Sequence, residues 1–89
     1  MKDDERKRLD RAARVKAMLE SDEWRGAWDG YVETLRNTIE TTERDDVALD
    51  ARRMLRAARA ARGHLEMLIQ DGDLAKAEIV SKKSRLRIA

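Results

Sequence analysis

Between Val47 and Gly72 the small and apolar residues Val47, Ala51, Met54, Ala58, Ala61, Leu65 and Leu68 recur at spacings of 4, 3, 4, 3, 4 and 3. An α-helix completes a turn every 3.6 residues, so this alternation keeps one seam on one side of a helix throughout the stretch. Leu55 and Ile69 widen the seam into a stripe, and Arg52, Arg56 and Arg59 project from another side. A helix patterned in this way must lie against a second helix, from its own chain or from a neighbour. No other feature of the sequence narrows the fold as much.

The chain supplies a candidate for that second helix. Trp24, Trp28, Tyr31, Leu35 and Ile39 follow one another at spacings of 4, 3, 4 and 4, with Val32 beside them. Ser21-Asp22 precedes them as an N-cap. Thr41 to Asp46 breaks the apolar pattern and offers Thr42, Asp45 and Asp46 as caps, which reads as a short turn between antiparallel helices. Asp71-Gly72 reads as the end of the later helix, because glycine is favoured just past a helix C-terminus. The expectation is an all-α fold: an antiparallel helical hairpin over 21–72, with helices of about 22–42 and 46–71. Trp24, Trp28, Tyr31, Leu35, Met54, Leu55, Leu65 and Leu68 are its expected packing or interface residues. Aromatic rings at helical spacing fit packing better than a cofactor box or a base-stacking platform. Gly26 and Gly30, four apart on the side away from the tryptophans, mark either a close approach of another backbone or a local bend.

The flanks differ in character. Residues 1–20 carry seven Lys/Arg against five acids, with a thin stripe of Leu9, Ala12, Val15, Met18 and Leu19. They read as a charged helix laced with i,i+4 ion pairs in preference to a basic arm for nucleic acid. Asp22 to Glu43 holds six acids against two arginines, a net of −4 that opposes phosphate. Residues 73–89 read as a short helix capped by Asp73 and then a basic, extended tail, in which Arg85 and Arg87 alternate with Leu86 and Ile88 as in an edge strand. Such a tail suits docking onto a partner as an extended peptide. Arg52, Arg56 and Arg59 together with Arg85, Leu86, Arg87 and Ile88 are the expected partner contacts, arginine being enriched at protein interfaces.

Several function classes are set aside by residue type. With 89 residues and a seam built largely of alanine, the chain buries little apolar area, worth roughly 25 cal/mol per Å². That is a poor return against chain entropy, so an oligomer or a docked subunit is expected. Cysteine is absent, which removes disulfides and thiolate metal sites. His64 is the sole histidine and has no second ligand at metal-binding spacing. No Ser, Cys or Lys stands beside a base as nucleophilic catalysis requires, and no glycine-rich phosphate loop is present. Neither a cofactor, a metal nor an enzymatic role is therefore expected. No apolar run approaches the roughly 18 residues of a membrane span, and a cytoplasmic or particle-bound location is the expectation.

Over residues 21–72 the chain resembles small helical-hairpin proteins encoded in the structural gene modules of tailed bacteriophages. The residues that carry the likeness are the helix Trp24 to Ile39 and the Ala-Arg-Gly-His-Leu-Glu-Met-Leu-Ile stretch of Ala61 to Ile69. The resemblance implies a virion component or assembly factor. The residues themselves suggest that it works through helix–helix and tail-docking contacts in several copies, the tail lying outside the likeness. Two other classes compete with it. One is a small DNA-packaging or regulatory protein gripping phosphate through Arg8, Arg11, Arg14 and the Lys82–Arg87 run. The other is an inhibitor that seizes one host protein with an arginine face.

Overall fold

A computed structural model describes residues 3–88, with side-chain surroundings through residue 86. Three helices follow in order: α1 (Asp3–Glu20), α2 (Asp22–Thr41) and α3 (Asp45–Ile88). No strand occurs among the described residues, so the class is all-α.

Local chemistry sets most of the boundaries. Asp3, Asp4 and Glu5 fill the first turn of α1, where the helix dipole favours acids. Ser21 then leaves the helical region at φ −70°, ψ 148°, and its Oγ accepts the Trp24 N–H at 3.2 Å. That capping bond starts α2. At its far end the Thr42 N–H donates to the Thr38 carbonyl at 3.0 Å, while the Thr42 hydroxyl accepts the Arg44 N–H at 3.2 Å. Asp45 and Asp46 open α3, and Asp46 pairs with Arg44 at 2.6 Å.

Against expectation, α3 does not stop at Asp71-Gly72. It runs for 44 residues, to Ile88. No described glycine has a positive φ, so Gly72 is not the left-handed residue that closes many helices. The extended tail is corrected with it: residues 73–88 are helical. A lone strand would leave its backbone donors and acceptors without partners, whereas a helix satisfies them within the segment. Ala, Lys, Glu, Arg and Leu there all favour that outcome.

By its contacts the chain forms two compact units: Leu19–Gly63, and the chain up to Met18 joined to the chain from His64 onward. Within Leu19–Gly63 the core is Leu35, Ala51 and Leu55, with Val32 and Ile39 packed against it. The inner line on α3 passes through Ala51, Leu55, Ala58 and Arg62; it shares Ala51 and Ala58 with the expected line and departs from it by one residue at Met54 and at Ala61. The branched pair Leu35 and Leu55 takes the inside. Met54 is consequently 48% exposed and Tyr31, displaced by Val32, 44% exposed.

The other unit packs α1 against the later part of α3 in antiparallel sense, with Glu5 at Lys82 and Ala12 at Gly72. A Cβ placed on Gly72 would stand 2.2 Å from the Ala12 Cβ. Only glycine permits this approach, and it is the reason α3 carries one there. Ala12 and Ala75 are buried beside it. Gly26 and Gly30, by contrast, have nothing within 4 Å of an added Cβ, so neither marks a close contact.

Candidate functional site

Three exposed regions carry chemistry, and each lies within one unit. The first is the aromatic corner of Leu19–Gly63. Trp24 and Trp28 stack at 6.1 Å between ring centroids with 17° between planes. Arg62 holds its guanidinium carbon 5.0 Å above the Trp28 ring, a cation–π arrangement. A depression beside them is lined by Leu19, Glu20, Arg25 and Asp29 as well. The Trp24 Nε1 is buried and has no hydrogen-bond partner among the described residues. Both rings are half-buried, which agrees with packing as the reason for their spacing.

The second region is the arginine face of α3. Arg52, Arg56 and Arg59 are exposed and line a shallow depression with Leu55 at its floor. Arg53 and Asp50 form an exposed pair at 3.7 Å, which adds little to stability.

The third region lies in the unit of α1 and the later part of α3. Here two charged side chains of α1, Glu5 and Arg8, turn toward α3. Arg8 forks onto Asp71, with Nε to Oδ2 at 3.1 Å and Nη2 to Oδ1 at 3.0 Å, and it reaches Glu78 Oε2 at 3.1 Å. Arg11 adds a bond to Asp71 at 3.3 Å. The Arg8 hydrogen bonds, ahead of its charge, hold Asp71 below the usual carboxylate range, and Asp71 in turn keeps the Arg8 guanidinium protonated to higher pH still. Glu5, only 5% exposed, is paired with Lys82. A charged helix was legible in the sequence, but these long-range pairs were not. Each partner stands far off in the chain, and only the antiparallel packing brings them together.

The remaining face of α3 in this unit is open and mixes apolar with polar side chains. Met67 is 59%, Leu74 61% and Val80 59% exposed. A groove on it is lined by Asp73, Lys76, Ala77, Val80, Ser81 and Ser84. Leu65 and Leu68, expected in the packing set, are half-buried. Arg85 and Leu86 are exposed, on helix instead of strand. The side chains of Arg87 and Ile88 lie outside the described residues. His64 is exposed, and among the described residues no group of three or more His, Cys, Asp or Glu is placed to hold a metal. No helix of the described residues is long and apolar enough to cross a membrane. Set beside known protein families, curated proteins and solved structures, the chain matches none of them.

Proposed function

We propose that this protein is a non-enzymatic structural or adaptor subunit, a helical hairpin with a charged additional helix, that completes itself in a multi-copy assembly. The observation that carries the reading is the shortage of core. Among the described residues the buried apolar ones are Ala12, Leu35, Ala51, Leu55 and Ala75, three of them alanine. The chain exposes 7190 Å², whereas a well-packed monomer of 10.3 kDa exposes about 5,400 Å². The difference, roughly 1,800 Å² per chain, is more than one partner contributes to an interface of standard size. Met54, Tyr31, Met67 and Leu74 supply large apolar side chains for such contacts.

The likeness to small phage structural-module proteins points the same way, to a subunit of a virion or of its assembly machinery, working in the host cytoplasm or in the particle. Arg52, Arg56 and Arg59 and the end of α3 at Arg85 and Leu86 would meet neighbouring subunits. A nucleic-acid-binding role ranks second. Its support is the exposed Lys83 and Arg85, while Arg8 and Arg11, which it would need, are held by Asp71.

Sedimentation equilibrium of the isolated chain tests the proposal. An oligomer whose melting temperature climbs with protein concentration is expected. A monomer that melts sharply at high temperature overturns it. DNA affinity that falls steeply with salt would promote the second reading.

A further inference from the structure

We infer that the outward face of α3 beyond Met67 is a self-association surface, occupied by the same face of a second copy running antiparallel. The inference rests on the assembly reading above and gives it a place and a geometry.

Met67, Gln70, Leu74, Ala77, Ser81 and Ser84 recur at spacings of 3, 4, 3, 4 and 3, and every one is exposed. That is a second seam of coiled-coil spacing on a helix whose other side already holds α1 through Gly72 and Ala75. Residue size divides along it. The large members, Met67, Gln70 and Leu74, come first; the small ones, Ala77, Ser81 and Ser84, come last and line a groove. In an antiparallel pair, alternate seam positions of the two copies share a layer. Met67 then meets the partner copy's serine at 84, Gln70 its serine at 81, and Leu74 its alanine at 77. Each layer sets a large side chain against a small one. A parallel pair would stack Leu74 on its own equivalent and leave two successive layers of serine with nothing to fill them.

Charge divides in the same way. From Glu66 to Asp73 there are three acids and no Lys or Arg; from Leu74 to Leu86 there are four Lys/Arg and one acid. With Asp71, Glu78 and Lys82 set aside because they pair with α1, Asp73 stands on the first half against Lys76, Lys83 and Arg85 on the second. Two antiparallel copies set the acidic half against the basic half, and two parallel copies set like against like. Asp71 is paired with Arg8 and Arg11, and Glu78 with Arg8, so most of their charge is met within the unit. A nucleic acid on this face would meet Asp73 in the middle of the groove, and an apolar ligand would leave the charges unmatched.

Engineered cysteines test the arrangement, since the chain has none of its own. Met67→Cys and Ser84→Cys are made separately in the full chain, oxidised alone and as an equimolar mixture. Antiparallel pairing predicts a disulfide between the two variants only in the mixture, because like positions stand about 25 Å apart along the axis at 1.5 Å per residue. Leu74→Lys, at a position 61% exposed, should keep the helical content and weaken dimerisation at least tenfold. Cross-linking of each variant with itself overturns the antiparallel geometry. A wild-type oligomer that gives no cross-link in the mixture and is indifferent to Leu74→Lys overturns this face but leaves the assembly reading standing. A wild-type monomer at every concentration removes both.

Discussion

The two units of this chain are held by different chemistry. In Leu19–Gly63 the contact is apolar: Leu35 and Leu55 close over Ala51, and the tryptophan pair carries Arg62 on its face. In the unit of α1 and later α3 the buried apolar residues are two alanines, with Leu9, Val15, Leu65, Leu68, Ile69 and Ile79 half-buried, and charge is paired beside them: Arg8 on Asp71 and Glu78, Lys82 on Glu5. Burial of branched side chains is tolerant of pH and salt. The ion pairs beside the Gly72–Ala12 contact depend on both partners staying charged, and they weaken as salt rises. The difference teaches that a short chain with little bulk can still order a second unit, provided its charges are placed to meet.

The largest effect that separates the two is expected from Leu55→Ala. It removes half of the branched pair at the centre of Leu19–Gly63 and should cost about 2–5 kcal/mol in chemical denaturation. A loss below 1 kcal/mol would show that this unit is not held by its apolar contact. Next comes Gly72→Ala. The added methyl would overlap Ala12, so α1 should be driven off at a cost of about 1–3 kcal/mol, despite alanine's better helix propensity. Hydrogen exchange of α1 amides reads this directly. Faster exchange in α1 with little change around Leu35 sharpens the contrast, and a net stabilisation breaks it.

Acid should act on one unit before the other. Asp71 has its pKa lowered by Arg8, so the stability it contributes is present above the ordinary aspartate range and is lost as pH falls through its lowered value. Arg8, raised by the same contact, stays charged throughout that range, so on the alkaline side the contact fails only in strong alkali. Amide exchange in α1 should therefore accelerate below about pH 4 while the Leu35 core holds, and Asp71→Asn should produce the same loosening at neutral pH. Equal acid sensitivity in both units would remove the distinction. Smallest is Gly63→Ala. Its added Cβ meets nothing within 4 Å, and relief of backbone entropy should stabilise the chain by about 0.5–1 kcal/mol. A destabilised melt there would mean that Gly63 has a neighbour in the assembled protein.

What the sequence disclosed and what it withheld follow the same division. The helical class, the Ser21 cap and the turn at Thr42 were legible because their causes sit within a few residues. Leu35 and Leu55 were legible as packing residues from their bulk and spacing. Tyr31 and Met54, expected as packing or interface residues, are exposed: the expected and observed lines share Trp28, Leu35, Ala51 and Ala58 and part by one residue at Val32 and Leu55, a choice that only the partner decides. Gly72 was misread for a related reason: beside Asp71 it has the local signature of a helix end, but its cause is Ala12 on another helix. The arginines of α1 were equally opaque, since nothing near them in sequence names Asp71.

One contact also sets an order of events during synthesis. Glu5 and Lys82 are separated by 77 positions, so a ribosome adding 5–20 residues per second keeps the carboxylate waiting about 4–15 s for its ammonium. Leu35, Ala51 and Leu55 are all translated well within that interval. The contact between α2 and the first part of α3 thus has all its residues made before the contact between α1 and the later part of α3 does.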